Sequence, residues 1–207
     1  MPATPDFTAA MLAFASSPAA LADLAPGWAA LLERFYAQSG KALPRLERLK
    51  GDEVPQPYQS LLVHSADMTP TLEKFYQQPL GLDVLSRLLL TESEYLREVV
   101  LHLNGGVRPV EYGVIRIWLD HFPAAARRLI LEEHRPLGSI LQSEAVGHIS
   151  WPQAFFCAHS DAHIGAVLRL AQPSLLYGRR NVLLDGGRRL LAEVIEILAP
   201  VENGKLS

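Results

Sequence analysis

Residues 95–119 read YLREVVLHLNGGVRPVEYGVIRIWL, two runs rich in β-branched and aromatic residues on either side of Asn104-Gly105-Gly106. Alternating apolar runs split by Asn-Gly are a strong short-range hairpin signal, because that pair tolerates the left-handed backbone of a tight turn. The spacing predicts strands over Tyr95–Leu103 and Val107–Leu119. Working outward, the same period of two covers Leu82–Leu90. It returns at Leu175–Leu184 and Arg188–Leu198, which flank Asp185-Gly186-Gly187 as a further hairpin.

Between and before these strands the period changes to that of a helix. Pro26–Ser39 carries Trp28, Leu31, Leu32, Phe35 and Tyr36 on one stripe, with Gly40 placed to end it. Pro18 after Ser17 opens an earlier helix, and Pro26 reads as another first-turn proline. Thr69 is expected to cap a helix whose first position is Pro70 and whose apolar side is Leu72, Phe75 and Tyr76. Pro123–Glu133 reads as a helix, residues 148–173 fit neither period, and the polar Leu49–Tyr58 reads as a linker. Hairpins with helices between them predict an α+β fold on an antiparallel sheet, with residues 1–57 as a helical extension and 58–207 as the domain.

Composition narrows the function. The 207 residues are 49% hydrophobic and 20% charged, which excludes disorder over most of the chain. Nineteen Lys and Arg against 22 Asp and Glu give a net charge of −3, so no general nucleic-acid footprint is expected. No Lys or Arg precedes Arg34, and no apolar run is long enough to span a bilayer. The lone Cys157 has no internal partner, in keeping with a reducing cytoplasm. No nucleic-acid partner and no membrane span are therefore expected; the oligomeric state is left open.

Two charged positions break the apolar pattern. Arg97 shares its strand face with Tyr95, Val99, Leu101 and Leu103. It must be paired, face a cavity, or sit at an edge where it reaches water. Glu196 shares a face with Leu190, Ala192, Val194 and Leu198, as a general acid or base or as half of an ion pair; Glu193 on the opposite face is the rival. Alternation sends Arg179 and Arg180 to different faces, and with Arg188-Arg189 across the hairpin they form either an anion pocket or a solvated turn. Cys157-Ala-His159-Ser-Asp161-Ala-His163 places two histidines four apart, a spacing that suits metal ligands on a helix, yet no third ligand is evident and no metal is expected.

These positions, in order, resemble the chorismate lyase family. The matches are Asp67-Met68-Thr69, Tyr95-Leu96-Arg97-Glu98, Gly113, Pro136-Leu137-Gly138, Tyr177-Gly178-Arg179-Arg180, and Glu196 four residues before Pro200, over roughly residues 58–200. The resemblance implies a sheet of about six antiparallel strands with helical flaps over an aromatic acid, and neither metal nor organic cofactor. It makes Arg97 the anchor of the ligand carboxylate and Glu196 the group that handles the ring hydroxyl or its proton. Met68, Thr69, Gly113, Leu137, Arg179 and Arg180 are its binding residues. The implied activity is conversion of chorismate to 4-hydroxybenzoate and pyruvate. The alternatives are a lyase with a different product and a non-catalytic sensor of an aromatic acid. Val114 stands where the ubiquinone-pathway enzymes are expected to carry arginine.

Overall fold

A computed structural model describes residues 27–201. The expected helix after Ser17 and the role of Pro26 lie outside the described residues. The framework is one seven-stranded antiparallel sheet: β1 (Leu46–Leu49), β2 (Gly81–Leu89), β3 (Glu94–Leu103), β4 (Arg108–Trp118), β5 (His148–His159), β6 (Leu175–Asp185) and β7 (Leu190–Leu198). Their order is β1-β5-β6-β7-β4-β3-β2. Two three-stranded meanders, β2-β3-β4 and β5-β6-β7, are therefore zipped together where β4 pairs β7.

The fold is α+β and antiparallel, as expected, and both predicted hairpins form. It has one strand more than expected. Leu46–Leu49, placed by the sequence ahead of residue 58, pairs with β5 as an edge strand. Four residues are too few for a period of two to stand out; only a partner strand reveals them. The ambiguous 148–173 stretch resolves into the twelve-residue β5 and a short helix, Ala162–Val167. A register shift between Pro152 and Ala154 interrupts the alternation that would have marked that strand.

Helices cover both faces. Helix α1 (Ala30–Gln38) lays Leu31, Leu32, Phe35 and Tyr36 against Leu96, Tyr112, Val114, Phe156, Ile195 and Ile197. Four others cover the second face: α2 (Tyr58–Leu62), α3 (Met68–Tyr76), α4 (Ala124–Glu132) and α5 (Leu137–Ser143). Ala162–Val167 is α6 and lies with α1. With both faces covered, every residue of β7 is buried, which explains its nearly unbroken apolar run. Helix α3 differs from expectation at its start. Asp67 occupies the cap position in extended conformation, so Thr69 and Pro70 fall inside the first turn, and Phe75 is exposed. Among the described residues, no helix is long and apolar enough to cross a membrane.

Candidate functional site

Alternation along the central strands turns Arg97, Val99, Glu111, Gly113, Val194 and Glu196 to the same face, because Arg97 pairs Ile115, Val99 pairs Gly113, and Gly113 pairs Glu196. On that face the first turns of α3 and α5 arch over the sheet and enclose a cavity of about 60 Å³. Helix α3 contributes Asp67, Met68 and Thr69, and α5 contributes Leu137, Gly138 and Leu141. The two turns touch closely. A Cβ on Gly138 would stand 2.8 Å from Thr69 Oγ1, so only glycine lets them close. The floor is equally tight, since a Cβ on Gly113 would meet Val99 Cγ2 at 3.2 Å.

Six of the eight residues named from the sequence line this cavity: Met68, Thr69, Arg97, Gly113, Leu137 and Glu196. Arg179 and Arg180 do not. Arg179 is fully buried, donates from Nε to Glu196 Oε2 at 2.5 Å, and reaches the carbonyls of Leu62, His64 and Ala66 at 3.1–3.3 Å. It thereby ties the chain leading into α3 to the sheet, which positions Asp67 and Met68. Arg180 turns to the other face and pairs with Glu193 at 2.7 Å. That separation places Glu196, and not Glu193, at the cavity. Arg189 is exposed and pairs with Asp185, so the second arginine pair belongs to a solvated turn. Val114 also points away from the cavity, into the α1 core.

Arg97 is 1% exposed, and among the described residues no carboxylate lies within ion-pair distance of it. Its Nη1 donates to the Ile130 carbonyl at 3.5 Å, at the C-terminal turn of α4, where the helix dipole favours a cation. Burial pulls its pKa below the usual arginine range, while Tyr95 and Glu133 oppose the fall. Tyr95 donates its hydroxyl to Glu133, the C-cap of α4.

Glu196 stands at the other end. Burial raises its pKa, the Arg179 guanidinium works against that, and Asp67 adds to the rise. Sequence reasoning missed three more polar groups on the lining: Asp67 (quoted only as part of a motif), Glu111 and Asn181. A signal existed for two of them, because Glu111 lies two residues before Gly113 and Asn181 two after Arg179, each on the same strand face. Asn181 donates to Ser150 Oγ at 2.8 Å, and Asp67 accepts from His148 at 2.8 Å. The Asp67 carboxylate holds the His148 pKa up.

Four buried polar atoms on these lining residues lack a hydrogen-bond partner: Arg97 Nε, Asp67 Oδ1, Glu111 Oε2 and Asn181 Oδ1. The four lie around one cavity, where a bound polar group could complete them. The histidine pair is not brought together on a helix. His159 ends β5, whereas His163 on α6 bonds Glu98 at 2.6 Å on the opposite face of the sheet.

No protein-family model matches the chain, and no curated protein does. Among solved structures, it is similar to the effector domain of PhnF from Mycobacterium smegmatis at 14% identity, covering 66% of this chain and 90% of that one, with a TM-score of 0.49. Whole PhnF from the same organism is similar at 12% identity over 84% of this chain and 99% of that one, TM-score 0.48. A GntR-family transcriptional regulator from Bacillus cereus is similar at 10% identity over 62% and 98%, TM-score 0.43.

Proposed function

We propose that this chain is a small-molecule-binding domain whose cavity takes a compact hydroxy-substituted carboxylic acid of the 4-hydroxybenzoate kind, and that it senses this ligand rather than transforming it. The observation that carries the reading is Arg97, a buried guanidinium without a carboxylate, facing a cavity whose far end is acidic. A ligand carboxylate supplies the acceptor that Arg97 Nε lacks and can be gripped in a planar, bidentate contact. The ligand's polar end then meets Glu196. Met68, Leu137 and Val99 offer the apolar walls that a ring requires. At about 60 Å³ the cavity is smaller than such an acid, so this reading requires the first turns of α3 and α5 to part on binding.

Charge favours a sensor over a chorismate lyase. Chorismate is a dianion and needs two fixed cations. Among the lining residues Arg97 is the one cation, with Asp67 and Glu196 opposing it, and the neighbouring Arg179 is committed to Glu196. One observation favours the lyase reading all the same: Arg97 and Glu196 line a single cavity, the arrangement that would anchor a carboxylate and handle a ring proton.

Calorimetric titration with 4-hydroxybenzoate, beside incubation with chorismate followed by chromatography, separates the two. Expected are binding that Arg97→Ala weakens by about a hundredfold and chorismate recovered intact. Formation of 4-hydroxybenzoate and pyruvate would establish the lyase instead. Neither binding nor turnover would overturn both.

A further inference from the structure

Glu111 has no part in the roles assigned above. It projects from β4 onto the cavity face and is 4% exposed. Its Oε1 lies 3.5 Å from the point that a Cβ on Gly113 would occupy, and Gly113 is the cross-strand partner of Glu196. Glu111 and Glu196 are thus diagonal neighbours on adjoining strands, close enough for long side chains to interact. They differ in support. Glu196 is bonded to Arg179, whereas Glu111 Oε2 is buried with no partner.

The other charged groups around the pair are few. Arg97 faces it from β3 and Asp67 from the start of α3, with His64 beside Arg179 and His148 beside Asp67. Besides Arg97, the lining from β2 and β3 is the apolar Leu82, Val99 and Leu101. Two buried carboxyls that share one arginine cannot both ionise cheaply, so the pair retains a proton. The Arg179 bond to Glu196 favours Glu111 as the site of that proton.

We propose that Glu111 is a specificity-determining residue of the cavity: as a neutral acid it donates to the oxygen of a ligand hydroxyl, which in turn donates to Glu196. The inference rests on the hydroxy-acid reading above and adds what distinguishes one acid from another. A hydroxyl is both donor and acceptor and satisfies both carboxyls. An ether can only accept, a ring C–H does neither, and a second carboxylate is repelled by Glu196. Burial and then the charge of Glu196 hold the Glu111 carboxyl well above the usual range, with Arg179 opposing. Binding therefore weakens as pH rises and Glu111 ionises.

The test uses the full chain and two readouts. Infrared spectroscopy at neutral pH is expected to show the carbonyl stretch of a protonated carboxyl in the wild type and its loss in Glu111→Gln. Titrations with 4-hydroxybenzoate, 4-methoxybenzoate and benzoate then run from about pH 6 to about pH 9. The wild type is expected to prefer the hydroxy acid by about tenfold, the size of one buried hydrogen bond left unmade, with affinity falling as pH rises. Glu111→Gln, whose amide still donates, keeps the preference and loses the pH dependence, while Glu111→Leu loses several-fold of the preference over benzoate. If the band is absent, or the pH profile survives in Glu111→Gln, the inference falls while any binding of 4-hydroxybenzoate leaves the hydroxy-acid reading standing. If the band behaves as expected but none of the three acids binds at any pH, the hydroxy-acid reading falls, and the specificity role with it; the shared proton alone stands.

Discussion

The two faces of the sheet satisfy their buried charges unequally. On the α1 side, Glu98 accepts from Tyr112 at 2.7 Å and Ser86 at 3.0 Å and bonds His163 at 2.6 Å, while Arg180 is paired with Glu193. On the α3–α5 side, Arg179 is paired with Glu196, but among the described residues Arg97 has no carboxylate within ion-pair distance and Glu111 Oε2 has no partner. Equal burial with unequal satisfaction is the basis for proposing Arg97 and Glu111 as ligand-facing groups and Glu98, Arg180 and Glu193 as groups that hold the fold. A buried charge left unpaired costs several kcal/mol, so a fold keeps one only where something else completes it.

The strongest challenge to that contrast is Arg180→Ala, which strands Glu193 in the interior. It is expected to cost about 3–5 kcal/mol in denaturant unfolding; a loss below about 1 kcal/mol would erase the distinction between the faces. Arg97→Ala is the mirror experiment. Ligand affinity is expected to drop by about a hundredfold, the order of a charge-assisted hydrogen bond at a buried site. Stability should change by no more than about 1 kcal/mol, since the desolvation of an uncompensated cation is relieved as packing is lost. Large destabilisation without loss of binding would move Arg97 into the structural class.

A third variant sharpens the comparison at one position. Glu111→Leu is expected to raise stability by about 1 kcal/mol at neutral pH, the usual exchange of function for stability. Because the folded-state pKa of Glu111 is raised, its contribution is fully present below the ordinary carboxyl range and is lost as pH climbs through the raised value. The advantage of leucine, followed by thermal melts, should therefore widen with pH. Glu98 shows the opposite sign and the smallest effect. Burial alone would raise its pKa, but bonds from His163, Tyr112 and Ser86 outweigh burial and lower it. Its contribution is present above the ordinary carboxyl range and fades as pH falls through the lowered value, so Glu98→Gln should flatten the acid limb of the melting curve. An unchanged acid limb would mean that these bonds carry no net stability.

Much of the scaffold and half of the site's logic are legible in the chain itself. Strands β2, β3, β4, β6 and β7 follow from a period of two broken at Asn104-Gly105-Gly106 and Asp185-Gly186-Gly187, because turn chemistry and alternation are local properties. The same alternation puts Arg97 and Glu196 on apolar faces, where a charge demands an explanation. Strands β1 and β5 emerge only in the folded sheet: one is four residues long, the other carries Pro152 and a register shift, and each is defined by its partners. Partnership is likewise a tertiary fact. Strand position tells that Arg179 and Arg180 leave on different faces and that Arg97 lies on an apolar one, but only the packing of β7 beside β6 and of α4 beside β3 buries all three and decides which two are satisfied and which one is left facing the cavity, because an ion pair is fixed by distances between residues far apart in the chain.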